Sequence, residues 1–324
     1  MTGLLGQPTV ALATAPTPLQ PAPNLSAELG VEIWFKRDDL IGFGLGGNKV
    51  RLLEYLLGDA VAQGCDCLIT GAGAQSNWAM LAALAARHQG LATHLVFYGD
   101  PVPATGNLLL AELAGARITF TGDPDRASVD GAIATLAGQL QQAGHRPCAL
   151  PRGGATPVGA LGYVRASVEL AEQLLVTGLR PRQLWLPTGA CGTQAGLVAG
   201  AGWLRLPHQV IGVTASRPVD SCVEQITALV EGTRSLLGST SDGTVEVTVL
   251  DGFIGPGYGV RSPEGEAAAE FVARREGVFL DPVFGAKAMA ALVDTVRATD
   301  RSAGPVVFLV TGGAPTLFSV GGAL

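Results

Sequence analysis

Lysine is nearly missing from this chain. Only Lys36, Lys49 and Lys287 occur in 324 residues, and the other eighteen basic residues are arginines with no basic block. Acidic residues number 27, giving a formal net charge of −6 and a pI near 5.2. That balance argues against nucleic acid or an anionic membrane as a partner. Charged residues make up only 15% and hydrophobic ones 48%, ample material for a large core in one or two domains. No apolar run approaches the roughly 20 residues of a membrane span; Gly, Pro or charge interrupts each one. The N-terminal stretch runs into a Pro-rich segment, Pro16–Pro23, and lacks the charged and apolar regions of a secretory leader. Five cysteines, an odd number in a long chain, favour reduced thiols and a cytoplasmic setting. Cys65-Asp66-Cys67 is too tightly spaced for the usual zinc pair and has no neighbouring His, so no metal is expected.

What is present is alternation. Short apolar runs predict strands over Val31–Lys36, Cys67–Thr70, Thr93–Tyr98, Arg117–Phe120, Gln183–Pro187, Val210–Thr214, Val245–Leu250 and Val306–Thr311. Amphipathic stretches predict helices over Lys49–Gln63, Ser76–Gln89, Asn107–Ala114, Ser128–Ala143, Val158–Thr177, Thr193–Trp203, Pro218–Leu236, Pro263–Glu276 and Lys287–Thr299. Strand then helix, repeated, reads as an α/β fold with a mostly parallel sheet. Gly238–Gly243 reads as a surface loop rather than a domain boundary. In such folds ligands bind at the C-terminal ends of strands, and that is where the Gly-rich turns fall.

Four turns matter. The first, Gly42 to Lys49, ends in Gly46-Gly47-Asn48-Lys49 and lacks the Ser/Thr of a nucleotide-binding P-loop. Glycines allow close backbone approach to a ligand, and a lysine there can bond covalently to a carbonyl, which arginine cannot. A solvated lysine at a helix start is the plainer alternative. The second, Gly71 to Asn77, has Ser76 where a dinucleotide fingerprint needs its third Gly; an ordinary helix cap by Ser76 or Asn77 explains it equally well. The third, Pro187 to Gly196, lines up small residues from Gly189 to Thr193 at a helix start. Successive backbone N–H groups there suit a phosphate dianion, with Thr188 and Thr193 adding hydroxyls; tight helix–sheet packing is the alternative. The fourth places Thr311 after the apolar run Val306–Val310, facing the same crevice or simply ending a strand.

Taken in order, the motifs resemble one family. Pro16-Thr17-Pro18-Leu19, Lys36-Arg37-Asp38-Asp39-Leu40, Gly46-Gly47-Asn48-Lys49, Gln75-Ser76-Asn77, Gly189 to Gly196, Gly255-Pro256-Gly257-Tyr258-Gly259, Asp281-Pro282-Val283 and Thr311 to Pro315 span nearly the whole chain. The series is similar to the pyridoxal-phosphate-dependent enzymes of the tryptophan-synthase-β type, fold type II. The branch is the one that holds D-cysteine desulfhydrase and 1-aminocyclopropane-1-carboxylate (ACC) deaminase. The resemblance implies two α/β domains with pyridoxal 5'-phosphate between them. Residues 50–152 would form the smaller domain, and residues 1–49 with 153–324 the larger. It implies that Lys49 binds the cofactor covalently and moves the α-proton, and that Asn77 bonds its phenolic oxygen. Ser76 is expected to face the substrate. Gly189, Ala190, Cys191, Gly192 and Thr193 are expected to hold the phosphate, Tyr258 to lie over the substrate, and Thr311 to meet the pyridine nitrogen. The implied reaction is α,β-elimination or β-replacement on a small amino acid, releasing a keto acid and ammonia. A homodimer is usual for the branch.

The chain also departs from its branch. Gln75-Ser76-Asn77 is followed by Trp78 and Met80 where the branch carries an imidazole and a cation. Asp281-Pro282-Val283 is followed by Phe284 in place of a phenol, then Gly285. Neither residue supplies the phenol and carboxylate that ACC deaminase uses in ring opening. With Gln75 to Asn77 and Tyr258, the residues Trp78 and Phe284 are expected to shape a more apolar substrate pocket, suited to a cysteine or an S-substituted cysteine. The alternatives are ACC-deaminase-type ring opening, an amino-acid racemase or epimerase, a non-catalytic relative that binds the cofactor, and, outside this chemistry, a nucleotide-binding oxidoreductase.

Overall fold

Strands buried on both faces need cover from both sides, and the run Val306–Val310 is buried at every residue. In the computed structural model, which describes residues 2–239, 246–298 and 304–318, that run is an inner strand of a six-stranded sheet. In chain order the elements are α1 (Thr2–Leu5), β1 (Leu19–Pro21), α2 (Pro23–Leu29), β2 (Ile33–Arg37), α3 (Lys49–Ala62), β3 (Cys67–Ala72), α4 (Asn77–His88) and β4 (Ala92–Phe97). Then come α5 (Gly106–Leu113), β5 (Arg117–Phe120), α6 (Ser128–Gln142), β6 (Pro147–Ala149), α7 (Pro157–Thr177), β7 (Gln183–Thr188) and α8 (Gly192–Leu204). The chain continues through β8 (Gln209–Thr214), α9 (Val219–Leu236), β9 (Thr248–Leu250), α10 (Pro263–Glu276), α11 (Gly285–Ala298) and β10 (Val306–Val310).

The larger sheet runs β1-β2-β10-β7-β8-β9 and the smaller β5-β4-β3-β6. Every pairing is parallel except β1 with β2. The register places Phe308 beside Phe35 and Trp185, and those three side chains anchor the core shared with α2, α10 and α11. Helices α3, α7, α8 and α9 cover the opposite face. The small-residue run of α8 lets it lie against α7: a Cβ at Gly196 would stand 2.3 Å from the Ala160 carbonyl oxygen.

The expected alternation is therefore the fold. β1, α2 and β6 leave no sequence signal because segments of three, seven and three residues are too short for a period to show. The strand expected from Val245 is formed from Thr248 onward. Val245, Thr299 and most of the Gly238–Gly243 loop lie outside the described residues. α11 starts two residues before Lys287, where the Asp281 carboxylate accepts the Gly285 N–H at 2.8 Å.

A buried ion cluster ties the start of α3 to its surroundings. The Arg51 guanidinium grips Asp38 through Nε (2.9 Å) and Nη2 (2.8 Å) and Glu169 on α7 through Nη1 (2.9 Å). Thr17 and Tyr163 also donate to Asp38, at 2.8 and 2.5 Å, and Lys36 pairs with Glu169. Arg51 and Lys36, with the Tyr163 hydroxyl on Asp38, hold both carboxylates below their ordinary range despite burial. Removing one member leaves an uncompensated buried charge. Arg51→Ala is expected to lower unfolding free energy by about 3–5 kcal/mol, read by urea titration; Arg51→Lys, lacking the planar fork, should recover only part of it.

Candidate active site

All four Gly-rich turns open into one cleft of about 870 Å³ between the two sheets. The first is pinned by the fourth. Gly47, at φ +123°, lies so close to the end of β10 that a Cβ there would stand 3.0 Å from the Thr311 carbonyl oxygen. The Asn48 N–H donates to that same oxygen at 3.0 Å. Lys49 follows as the first residue of α3 and lines the cleft. It is only partly buried, yet the cleft walls strip enough water to pull its pKa down to about 8, and no carboxylate opposes this. The Thr311 hydroxyl shares the cleft.

The third turn is a cup. Cys191 caps α8 at φ 70°, ψ −22°, a left-handed conformation that costs a non-glycine residue energy. Its carbonyl accepts the Ala195 N–H, while the backbone N–H groups of Cys191, Thr193 and Gln194 have no protein acceptor among the described residues. Such donors at the N-terminus of a thirteen-residue helix await an anion. Gly189 is required at the cup's edge, because a Cβ there would meet the Phe284 ring at 2.8 Å. Asn48 reaches the cup through Thr193, Nδ2 to Oγ1 at 2.9 Å. Arg217, after β8, lines the cleft and its charge acts on the Cys191 and Cys222 thiols. A cation therefore stands near a cup whose own sequence contains none.

The second turn is more structural than its motif implies. The Ser76 hydroxyl accepts the Ala79 N–H at 3.2 Å, capping α4. The Gln75 amide is spent on the start of α5, donating to the Thr105 carbonyl at 2.9 Å and accepting the Asn107 N–H at 3.0 Å. Trp78 reaches the cleft wall but is buried, its indole N–H donating to Thr70 at 2.8 Å. Its ring leaves room only for glycine at 154. Met80 points into the core. Asn77 is different: its Oδ1 accepts Asn107 Nδ2 at 2.7 Å, which turns its own Nδ2 into a donor beside Gly313. Asn107 lies 30 residues away and no motif marks it.

Asp281 is a further cleft residue that its sequence motif does not assign to the site. It lines the cleft, capping α11 with N–H groups from Val283, Phe284 and Gly285 at 3.0, 2.8 and 2.8 Å. Burial raises its pKa to about 6. A side chain at Gly285 would stand 3.1 Å from its carboxylate. Fully buried Lys287 donates to the carbonyls of Ile254 and Gly257 at 2.6 and 3.1 Å, anchoring the loop that presents Tyr258. The Tyr258 ring stands edge-on to Phe284, centroids 6.0 Å apart.

A lysine of lowered pKa beside a cup of unsatisfied N–H donors, in a cleft between two parallel α/β sheets, defines an enzyme built around a phosphate-bearing carbonyl cofactor. The chain belongs to the pyridoxal-phosphate-dependent enzymes: the family model described as "Pyridoxal-phosphate dependent enzyme" matches residues 10–312. D-cysteine desulfhydrases of Salmonella newport and Salmonella heidelberg are 38% identical to it over 96% of both chains. A crystal structure of an ACC deaminase homologue superposes with a TM-score of 0.90 at 35% identity, covering 98% of this chain and 95% of the other. The processed form of threonine deaminase isoform 2 from Solanum lycopersicum, at 17% identity, shares the fold with a TM-score of 0.70 over 96% of this chain and 88% of the other. Pyridoxal phosphate is the cofactor, and the cup, the lysine and the freed amide of Asn77 are the right donors for it.

The cup's shape can be tested directly. Gly189→Val drives a side chain into the Phe284 ring and should weaken pyridoxal phosphate retention at least tenfold, within the roughly 1–3 kcal/mol of overpacking. Adding Phe284→Ala should restore most of it, measured by cofactor content after dialysis.

Proposed function

We propose that this chain is a pyridoxal-phosphate-dependent lyase that catalyses α,β-elimination, or β-replacement, on a small amino acid of the cysteine or S-substituted cysteine type, giving a keto acid and ammonia. The observation that carries this is Lys49: an amine with a pKa near 8 and no counter-ion, in the same cleft as the unpaired N–H donors of Cys191 and Thr193. The similarity to D-cysteine desulfhydrases over nearly the full chain supports the reaction type.

The residues divide the work. The cup of Gly189, Ala190, Cys191, Gly192 and Thr193 would hold the phosphate through the free N–H groups of Cys191, Thr193 and Gln194 and the α8 dipole, with Arg217 adding charge; the Gly192 N–H is spent on the Ala190 carbonyl at 3.0 Å. Asn77 Nδ2, oriented by Asn107, would donate to the cofactor's phenolic oxygen, and the Thr311 hydroxyl would meet its ring nitrogen. The bound cofactor supplies an electron sink for the charge left at the substrate's α-carbon. Lys49 holds the cofactor and, as a free amine in the cycle, takes the α-proton at Nζ; a pKa near 8 leaves roughly a tenth of it neutral at pH 7. Ser76 and the N-terminus of α4 receive the substrate's carboxylate. Tyr258 covers the substrate, while Gln75, Trp78 and Phe284 form the wall. Phe284 and Gly285 offer no acid or base for ring opening, which is why elimination is preferred over ACC-deaminase chemistry.

The same reading divides the chain into a smaller domain, residues 50–152, and a larger one, residues 1–49 with 153–324. All strands of the four-stranded sheet lie within the former. α3 packs against both α4 and α7 and so links the two. Five free thiols support a reducing, cytoplasmic setting. The resemblance to the branch also supports a homodimer. No helix among the described residues is long and apolar enough to cross a membrane.

The test is a panel of D- and L-cysteine and their S-alkyl derivatives, assayed for pyruvate and ammonia. Release from at least one is expected, and Lys49→Ala should lose both turnover and the cofactor's visible absorbance band. Interconversion of enantiomers without ammonia would instead identify a racemase.

A further inference from the structure

We propose that Arg126 binds a second acidic group on the substrate, so that the cleft accepts β-substituted amino acids whose substituent ends in a carboxylate. This rests on the eliminating chemistry proposed above and names its substrate class.

Arg126 lies between β5 and α6, beside the smaller sheet, and Tyr258 between β9 and α10, beside the larger one. The Arg126 guanidinium carbon stands 4.0 Å from the centroid of the Tyr258 ring, so the contact spans the cleft that both residues line. A cation–π contact of this kind takes up no oxygen acceptor, so the guanidinium keeps N–H donors for a carboxylate fork. Among the described residues no carboxylate pairs with Arg126 and no acceptor takes its N–H groups. The exposed Asp100 at the rim makes no ion pair with it.

The other cations of the cleft are accounted for. Arg152 forms a two-point pair with Asp130, at 3.0 and 2.7 Å. Arg217 serves the phosphate end, and Lys49 the reaction. The substrate's own α-carboxylate meets Ser76 and the start of α4. One guanidinium is therefore left over, centred over the ring of Tyr258, the side chain proposed to cover the substrate. Phe284 packs edge-on to the same ring, so an apolar wall and a cationic edge meet there. Trp78, with its N–H committed to Thr70, adds no polar group. The apolar pocket expected from Trp78 and Phe284 thus has a charged rim, suited to a short apolar stem with an acidic end.

S-Carboxymethylcysteine has this form. Its elimination balances with one water: Lys49 takes the α-proton, the Cβ–S bond breaks with its electron pair passing to sulfur, and sulfur takes up a proton as mercaptoacetate. Water then converts the remaining three carbons to pyruvate and ammonia.

The experiment compares the D and L forms of S-carboxymethylcysteine and S-carbamoylmethylcysteine, which differ only by an anionic oxygen replaced with an amide nitrogen. Equilibrium binding to the holoenzyme is followed by the change in cofactor absorbance, with pyruvate release as a second readout. The carboxymethyl compound should bind roughly ten- to hundredfold more tightly, the range of a charge-assisted two-point contact. The ratio should fall to near one in Arg126→Met and to an intermediate value in Arg126→Lys. Equal affinity in the unaltered enzyme, a preference that survives in Arg126→Met, or binding of neither compound overturns the proposal. The eliminating reading fails separately, if both compounds and free cysteine bind without yielding pyruvate.

Discussion

The Arg51 guanidinium, buried at 3% exposure between Asp38 and Glu169, holds the part of the molecule from which the cleft is built. It sits two residues beyond Lys49 on α3, and its partners come from the turn after β2 and from α7. A charge taken out of water needs good geometry on every donor, so the start of α3 is held in one position against both elements. Lys49 inherits that position. Gly47 then fits against Thr311 and Gly312 at the end of β10 because it brings no side chain, and Gly46 fits against the Asp39 carbonyl for the same reason. Placement of one reactive amine thus reaches back to a salt-bridge cluster on the far side of its helix.

The cleft joins groups with different tasks and different electrostatic needs. At one end, backbone donors of α8 and the charge of Arg217 suit a dianion. In the middle, an amine is kept partly neutral by lost solvation. At the rim, a guanidinium rests on an aromatic face and keeps its donors free. Neither Asn107 nor Lys287 lines the cleft, yet one orients the Asn77 amide and the other ties down the loop that bears Tyr258. The chain as a whole is acidic while this cleft is cationic, which draws anionic ligands to the one place that can use them.

Much of this is legible in the residues. Alternating apolar and amphipathic runs mark nearly all the long elements, since strands of five or six residues and helices of three or more turns repeat their pattern often enough to show. The short β1 and β6 do not. The ordered motifs, through the family they resemble, imply Lys49, Asn77, the Gly189–Thr193 cup and Thr311; local chemistry by itself leaves a plain helix cap open at Asn77 and a strand end at Thr311. Gln75 and Trp78 are recognisable as wall residues, but their polar atoms are spent on Thr105, Asn107 and Thr70. Hydrogen-bond partners eight to some thirty residues away leave no trace in a local pattern.

The fold class follows from the order of the residues through periodicity; the cofactor and the lysine proposed to bind it follow from the ordered series of motifs and the family that series resembles, since glycine at strand ends and donors at a helix start leave a plainer alternative open at each turn. Which side chains share the cleft does not follow from that order. Arg126 and Tyr258 stand 132 positions apart in the chain and belong to loops beside different sheets; nothing in either segment says that a guanidinium will cover that ring. Asn107 is likewise ordinary in sequence, and neither the motif that holds Asp281 nor the scarcity that marks Lys287 says what either side chain will touch. Their roles arise from burial, which makes each seek a partner, and only the packing of the two sheets determines which partner is within reach.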